Sequence, residues 1–216
     1  MADHPPKPPA KLTVTERTLP AGTPLHRVHL QDYGPGQFNP GAKGNARFSP
    51  IKTGAGAPIP TIDAATTFQA AAMETVFHDV PFEPGLKTLD MAKLEGQVHS
   101  QIAANRDLQL ADLSQVALRK LGVSRAQLID TEKALYPETR PWAEAIHAQF
   151  RHLDGLTWVS RQDDKAEALM LFGDRVTDGV LKAVAPSRSL LGDDQANQEL
   201  TILAEKLDVS LVKGKS

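Results

Sequence analysis

Residues 66–78 read Thr-Thr-Phe-Gln-Ala-Ala-Ala-Met-Glu-Thr-Val-Phe-His. Seven of these thirteen residues are apolar, and on a helical wheel they leave almost no polar face. A helix that is apolar nearly all round is typically buried. Thr66 and Gln69 have the spacing of a capping box, so we predict a helix that begins there and runs to about His78. Glu74 lies inside this helix. Because a buried carboxylate is costly without a partner, the stretch predicts a carboxylate that meets a donor or a cleft.

A second interpretation of Glu74 stays open. His78 follows one helical turn later, and the two side chains could form an ion pair at the helix edge that contributes a few tenths of a kcal/mol. The residues alone favour neither the cleft carboxylate nor the ion pair.

The segments on either side of this helix contain the predicted strands. Residues 25–30 alternate, so we predict a strand with Arg27 on one face. Residues 156–160 and 168–172 are apolar runs joined by a charged turn, which is typical of two neighbouring strands. We predict a terminal strand over residues 207–212, and further helices near residues 91–104, 114–121, 139–152 and 194–207. A chain with both predicted strands and predicted helices belongs to a mixed class, and we predict the α+β class.

Length and composition favour one globular domain with appendages. The chain has 216 residues, of which 41% are hydrophobic, and these can form a core. Residues 1–22 begin with a proline-rich, charged stretch that we predict to be a mobile or loosely docked tail. We assign residues 23–212 to the single domain, with a helical insert at about 90–152.

Several function classes are disfavoured by composition. A net charge of −2 and only 5% aromatic residues argue against direct binding of nucleic acid or an anionic membrane. The absence of cysteine excludes thiolate nucleophiles and Cys-ligated metals. Glu144 and His147 have the Glu-x-x-His spacing of di-metal bundles but lack a second copy, so we predict no metal. Without a signal peptide or an apolar run of about 18 residues, we expect a cytoplasmic protein.

Arginines at two positions are candidate partners for Glu74. Arg27 lies in a predicted strand, and Arg47 follows a loop region rich in glycine and proline. A guanidinium can grip a phosphate with two hydrogen bonds, and a carboxylate can accept from a sugar hydroxyl. Together they predict a site for an anionic ligand that carries hydroxyl groups. The alternative is that each arginine lies on the surface with its stem packed. Ser160 ends a strand and either faces a pocket or begins a turn.

In this order, Arg27, Arg47, Glu74 and Ser160 resemble the RES-domain family, which is named for its arginine, glutamate and serine. The resemblance covers roughly residues 25–175. The matching stretches are Leu25-His26-Arg27, residues 38–51 with Ala46-Arg47-Phe48-Ser49, residues 71–79 with Met73-Glu74-Thr75, residues 136–143, and residues 156–161 with Val159-Ser160-Arg161.

The resemblance implies a fold, a substrate and a partner. The fold would be like that of ADP-ribosyltransferase toxins, with a split, strongly bent β-sheet core around an NAD cleft and helices outside. The substrate would be NAD⁺, whose nicotinamide–ribose bond is cleaved and whose ADP-ribose passes to phosphate or water. The chain would be the toxin of a RES–Xre toxin–antitoxin system, with an Xre- or ParS-like antitoxin as its partner.

Two alternatives to this function remain open. One is a toxin that transfers mono-ADP-ribose to a cellular protein, which would be the acceptor. The other is a binding module without activity.

The resemblance also implies a role for each of the four residues. Glu74 would hold a ribose hydroxyl and stabilise positive charge on the ribose. Arg27 would act with Glu74 in catalysis and, together with Arg47, hold the phosphates of NAD⁺. Ser160 would hydrogen-bond the nicotinamide-side ribose or its phosphate.

This sequence departs from the family at two aromatic positions. Related sequences usually carry a tyrosine eleven residues before the glutamate, where this chain has Asp63. Many also have an aromatic residue after the first arginine, where this chain has Val28. If those rings shape the nicotinamide pocket, another aromatic must replace them. We consider Tyr33, Phe38 and Phe48 as substitutes.

Overall fold

The secondary structure mixes short strands with few helices. The computed structural model describes residues 4–41, 43–81 and 83–214. The strands in these ranges are β1 (Thr15–Leu19), β2 (Leu25–Leu30), β3 (Ile51–Lys52), β4 (Pro58–Ile59), β5 (Thr61–Ala65), β6 (Lys87–Asp90), β7 (Gln97–Ala104), β8 (Leu108–Asp112), β9 (Gly155–Val159), β10 (Glu167–Phe172), β11 (Leu181–Ala183), β12 (Arg188–Ser189) and β13 (Val209–Val212). The helices are α1 (Phe68–Met73), α2 (Gln115–Leu121), α3 (Arg125–Leu128), α4 (Tyr136–Gln149) and α5 (Asp194–Lys206), with 3₁₀ turns at Met91–Leu94 and Lys133–Leu135.

One strongly curled, half-barrel sheet forms the centre of the fold. Its strand order is β1-β8-β9-β10-β5-β2-β7-β11, and β12 also pairs with β7. β8 and β9 run parallel, and the other neighbours in this sheet are antiparallel. The structure therefore confirms the α+β class and the strands predicted near residues 25–30, 156–160, 168–172 and 207–212.

Helices cover this sheet, and its central strands are buried on both faces. Trp142 and Ile146 of α4 pack in one hydrophobic cluster with Met170 of β10, whereas α1 and α5 share a second cluster. All six residues of β10 except the first are buried, as expected for a strand with both faces covered. The pairing of β9 with β10 requires Gly155, because a Cβ there would lie 2.1 Å from the Met170 carbonyl oxygen.

The prediction of a mobile or loosely docked tail at residues 1–22 is wrong for the described part, which begins at residue 4. β1 pairs with β8 along its whole length, and Leu12 and Val14 are buried in the core. The Trp142 indole N–H donates to the Pro6 carbonyl oxygen at 2.7 Å. The edge strand Thr15–Leu19 has a single apolar residue, Leu19, so no apolar pattern marked it in the sequence. Residues 1–3 lie outside the described residues.

The prediction of a helical insert at about 90–152 is wrong in its first third. β7 and β8 lie there, and β7 pairs with β2 over six residues. Leu94, Val98 and Ile102 are four residues apart, which imitates one face of a helix. In the structure Val98 and Ile102 are instead buried residues on the same face of strand β7, because positions an even number of residues apart share a face of a strand. The helices predicted near 114–121 and 139–152 correspond to α2 and α4.

The predicted helix over 66–78 is shorter than expected. α1 has six residues, and its N-cap is Thr67, whose hydroxyl oxygen accepts from the Ala70 amide at 3.0 Å. The predicted capping box of Thr66 and Gln69 is therefore wrong, because the N-cap is Thr67 and Ala70, three residues later, has no side-chain acceptor. The helix ends before Glu74, which is its C-cap residue. This ending places Glu74 at the end of the helix rather than on its side.

The two longest helices are α4 and α5. α5 matches the helix predicted near residues 194–207. α4 begins at Tyr136, so Thr139 lies inside the helix, where its hydroxyl donates to the Tyr136 carbonyl oxygen at 3.0 Å. Within the described ranges, no helix has the length and apolar character needed to cross a bilayer.

Candidate functional site

Arg27, Arg47 and Glu74 line one cavity of about 320 Å³. Arg27 comes from β2, Arg47 from the loop before β3, and Glu74 from the end of α1. The curl of the sheet and the packing of α1 against β2 and β5 bring these segments together. Three of the four predicted site residues therefore line the same cavity. Their chemical roles remain predictions.

The Arg47 guanidinium is almost completely buried, with 4% of the residue exposed. Its Nη1 donates to the Thr131 hydroxyl at 2.8 Å, and its Nη2 donates to the Tyr136 hydroxyl at 3.3 Å. The guanidinium carbon also lies 4.8 Å from the centre of the Tyr136 ring, a cation–π contact. All of these partners are neutral. Burial consequently lowers the pKa of Arg47 below its ordinary value, although Tyr136 and Glu74 oppose this shift.

Arg27 is held by backbone carbonyls. Its Nε donates to the Asp63 carbonyl oxygen at 3.2 Å, and its Nη1 donates to the Pro35 carbonyl oxygen. Burial lowers the pKa of Arg27 to about 10, while the negative charge of Asp63 acts in the opposite direction. Neither Arg27 nor Arg47 forms an ion pair with a carboxylate of the described residues. Two such cations in one cavity favour binding of an anion.

Ser160 lies behind Glu74. The Ser160 hydroxyl donates to Glu74 Oε1 at 2.6 Å and accepts from the Gln162 amide at 3.0 Å. Ser160 is fully buried and is not among the residues that line the cavity. This geometry differs from the predicted role, in which Ser160 touches the ligand. It instead fixes the orientation of the carboxylate that faces the cavity.

The predicted alternative of an ion pair between Glu74 and His78 is wrong. Because α1 ends at Met73, the two side chains do not follow one another on a helix. His78 Nδ1 hydrogen-bonds Asp79 Oδ1 at 2.7 Å, and His78 Nε2 hydrogen-bonds the Tyr136 hydroxyl at 2.7 Å. Both His78 and Tyr136 line the cavity.

Asp63 of β5 adds a second carboxylate to the cavity. Restricted hydration raises the pKa of Asp63 from 3.8 to about 6, the Arg27 guanidinium opposes this rise, and Glu74 adds to it. The residue is nevertheless exposed to solvent inside the cavity. Because that water still reaches the carboxylate, we expect a smaller rise than in a fully enclosed site.

Tyr136 is the cavity aromatic that sequence analysis did not single out. Of the three predicted substitutes, Phe48 is 1% exposed and packs edge-to-face on Trp158 in the core. Tyr33 and Phe38 do not line the cavity. The sequence pointed to Tyr136 only as the first residue of 136–143, a stretch that resembles the RES-domain family. No local pattern could place it against Arg47, from which it is separated by 89 positions.

A larger cavity of about 590 Å³ shares His26 with the first and is also lined by His99, Arg188, Glu199 and Lys206 among others. Arg188 pairs with Glu199 at 3.1 Å. Burial lowers the pKa of His26, and it lowers the pKa of His99 to about 4, so both rings are neutral near pH 7. Lys206 is exposed. The half-buried cation of this larger cavity, Arg188, already has Glu199 as a carboxylate partner. The larger cavity is therefore the weaker candidate for an anion site.

Glu144 and His147, which have the Glu-x-x-His spacing, make two separate contacts, and His147 is buried. Glu144 Oε1 accepts from the Lys52 amide at 2.9 Å, and His147 Nε2 lies 2.9 Å from Asp174 Oδ2. In the described part of the chain, no group of three or more potential ligand residues lies close enough to hold a metal ion.

Comparison with known proteins gives one match. No curated protein and no solved structure shows significant similarity to this chain. The sequence matches the family model of the RES domain over residues 24–193, a range that contains Arg27, Arg47, Glu74 and Ser160. This match covers most of the 216 residues, and the chain therefore belongs to the RES domain family.

Proposed function

We propose that this protein cleaves the nicotinamide–ribose bond of NAD⁺ and transfers ADP-ribose to phosphate or water. One observation carries the proposal: Arg27 and Arg47, neither paired with a carboxylate in the described residues, share a cavity with Glu74. Membership of the RES domain family is consistent with an NAD-related activity. A dinucleotide has the features that this cavity favours, namely a doubly charged pyrophosphate next to ribose hydroxyls.

The charges of the cavity suit the chemistry of this cleavage. Loss of nicotinamide builds positive, oxocarbenium-like charge on the ribose, as in glycoside hydrolysis. Nicotinamide leaves as a neutral molecule, so no strong general acid is required. A carboxylate is useful because it can accept a hydrogen bond from a ribose hydroxyl and stabilise the developing charge. We assign this role to Glu74, oriented by Ser160.

The two arginines would supply binding energy at a distance from the reacting bond. Arg27 and Arg47 are desolvated, so each gains more from a phosphate oxygen than an exposed arginine would. We propose that they hold the NAD⁺ phosphates and thereby fix the ribose against Glu74. A volume of about 320 Å³ is small for a ligand site. We therefore expect the adenosine end of NAD⁺ to extend outside it.

Membership of the same family also motivates a proposal for the biological role. RES-domain membership is consistent with a toxin-like function, and we propose that this chain is the toxin of a toxin–antitoxin pair with an Xre- or ParS-like antitoxin as its partner. The half-barrel curl of the sheet supports an ADP-ribosyltransferase-like core. Induced expression should arrest growth and lower cellular NAD⁺, and co-expression of the antitoxin should reverse both effects. Unchanged NAD⁺ during growth arrest would contradict this role.

Nicotinamide release from NAD⁺ tests the reaction. The purified protein is incubated with NAD⁺ labelled in the adenosine half, in buffer alone, with phosphate, and with a cell extract. We expect free nicotinamide, and label in ADP-ribose or its phosphate ester. Label on a protein band would instead support the protein mono-ADP-ribosyltransferase. Absence of nicotinamide in all three reactions, from protein that binds NAD⁺, would leave a binding module and overturn the proposal.

A further inference from the structure

A chain of hydrogen bonds connects the cavity to solvent. Lys133 Nζ lies 2.9 Å from Asp79 Oδ2, and Asp79 Oδ1 lies 2.7 Å from His78 Nδ1. His78 Nε2 lies 2.7 Å from the Tyr136 hydroxyl oxygen, and this oxygen accepts a hydrogen bond from Arg47 Nη2. We call Asp79, His78 and Tyr136 the relay. Its inner end lies in the cavity with Glu74, whereas the Asp79 side chain is 70% exposed.

The partners fix the direction of every hydrogen bond in the relay. The Asp79 carboxylate can only accept, so His78 Nδ1 carries a proton. Hydrogen bonds from His78 and Lys133 lower the pKa of Asp79, which keeps it ionised near neutral pH. In the neutral imidazole, Nε2 is then an acceptor, and the Tyr136 hydroxyl donates to it. Arg47 can only donate, so it points an N–H at the Tyr136 oxygen. The Tyr136 proton is therefore directed at His78.

In this arrangement His78 is positioned as a general base, and the Asp79 carboxylate orients its ring. We infer that the relay removes the proton from a hydroxyl-bearing acceptor, water or an alcohol, as that acceptor attacks the ribose of NAD⁺. The inference rests on the proposed function and narrows its acceptor class. According to this inference, the relay is needed when ADP-ribose is transferred to a hydroxyl oxygen, which must lose a proton. It is not needed when the acceptor is already an anion.

Transfer to water balances as follows. The bond between ribose and nicotinamide breaks, and its electron pair stays on the ring nitrogen. A lone pair of the water oxygen forms the new bond to the ribose carbon. The water proton passes to the Tyr136 oxygen while the Tyr136 proton passes to His78 Nε2. The imidazolium, stabilised by Asp79, then releases a proton to solvent. Phosphate carrying its second negative charge forms the same bond without losing a proton, so it does not need the relay.

The two acceptors therefore provide the test. Nicotinamide release is measured for the wild-type protein and for His78→Gln, in water alone and with saturating phosphate above neutral pH. We expect His78→Gln to slow release in water by about 100-fold or more, the range of general base catalysis. We expect its rate with phosphate to stay within about threefold of wild type, because the charges of Arg27, Arg47 and Glu74 are retained. A solvent deuterium isotope effect in the water reaction should disappear in the variant.

The matched control is His147→Gln. His147 is also half of a histidine–carboxylate pair, 2.9 Å from Asp174, but it lies outside the cavity on α4. Its loss should leave the ratio of the two rates unchanged. If His78→Gln misfolds, Asp79→Asn provides a second test, because the Asp79 side chain is largely exposed and its replacement should not disturb packing. This variant should slow the reaction with water by about tenfold and leave the reaction with phosphate unchanged.

Three outcomes would overturn the inference while the proposed function stands. They are equal slowing of both reactions by His78→Gln or Asp79→Asn, no slowing of either, and a wild-type protein that transfers only to phosphate. A wild-type protein that releases no nicotinamide under any condition would overturn the proposed function itself, and the inference with it. The two failures are thus distinguishable.

Discussion

Replacement of Ser160 by alanine separates two roles for this residue. In the structure the Ser160 hydroxyl donates to Glu74 Oε1 at 2.6 Å and is fully buried behind the cavity wall. If Ser160 orients Glu74, its loss should lower turnover and leave NAD⁺ binding nearly intact. If it binds the ribose or a phosphate directly, as the family resemblance implies, its loss should weaken binding.

The hydrogen bond sets the size of the effect. A hydrogen bond to a charged group contributes about 1.5–3 kcal/mol. If most of this energy restricts Glu74 to the orientation that stabilises the ribose cation, kcat for nicotinamide release should fall by about 10- to 100-fold. KM for NAD⁺ should change by less than about threefold, because the phosphate contacts of Arg27 and Arg47 are retained.

Steady-state kinetics of nicotinamide release, with kcat and KM determined separately, provide the assay. Thr157→Val is the matched control, since Thr157 lies on β9, the strand directly before Ser160, is buried, and donates to the Ala168 carbonyl oxygen at 3.3 Å. It should lower the free energy of unfolding without lowering kcat. A rise in KM with unchanged kcat in Ser160→Ala would refute the orienting role and restore direct contact with the ligand.

Three further predictions concern binding, pH and packing. Arg47→Lys should weaken NAD⁺ binding by about tenfold or more, because a point charge cannot reproduce the planar fork that Thr131 and Tyr136 hold; calorimetry with unchanged affinity would remove Arg47 from the site. The pKa of Asp63 is raised above its ordinary value of 3.8, although by less than in an enclosed site because solvent reaches the carboxylate, so the folded state holds this proton longer than the unfolded state. The contribution of Asp63 to the free energy of unfolding, and the NAD⁺ affinity, should therefore both fall as pH rises above about 4. Asp63→Asn should flatten both trends, and equal slopes in both proteins would contradict the assignment. Gly155→Ala should cost several kcal/mol in urea unfolding, because its Cβ would meet the Met170 carbonyl; Gly54→Ala, with open space around it, should cost little, and equal costs would contradict this packing.

The strands with a clear pattern could be predicted from the sequence, whereas two others could not. β2 alternates, and β9 and β10 are continuous apolar runs, so each follows directly from its residues. β7 contains apolar residues four positions apart, and this spacing imitates a helix until the pairing with β2 is known. β1 follows a run of prolines and has one apolar residue, Leu19, so only its pairing with β8 identifies it as a strand. Tertiary pairing decides both cases.

The charges of the candidate site were predictable, but its hydrogen bonds were not. A carboxylate within an apolar stretch singled out Glu74, and the family pattern added Arg27, Arg47 and Ser160. The contact between His78 and Tyr136 joins residues that are 58 positions apart, and no local pattern encodes it. The alternative in which Glu74 pairs with His78 assumed a helix that continues through residue 78. Because the chain turns after α1, each side chain has a different partner.

Single-turnover cleavage of NAD⁺ by Glu74→Gln tests the central claim most directly, because glutamine keeps the shape of the side chain and removes only its charge. NAD⁺ affinity is measured alongside, on protein shown to be folded. We predict affinity within a few-fold of wild type and nicotinamide release slowed by about 100-fold or more. Release at the wild-type rate would contradict the claim that the Glu74 carboxylate stabilises the ribose cation.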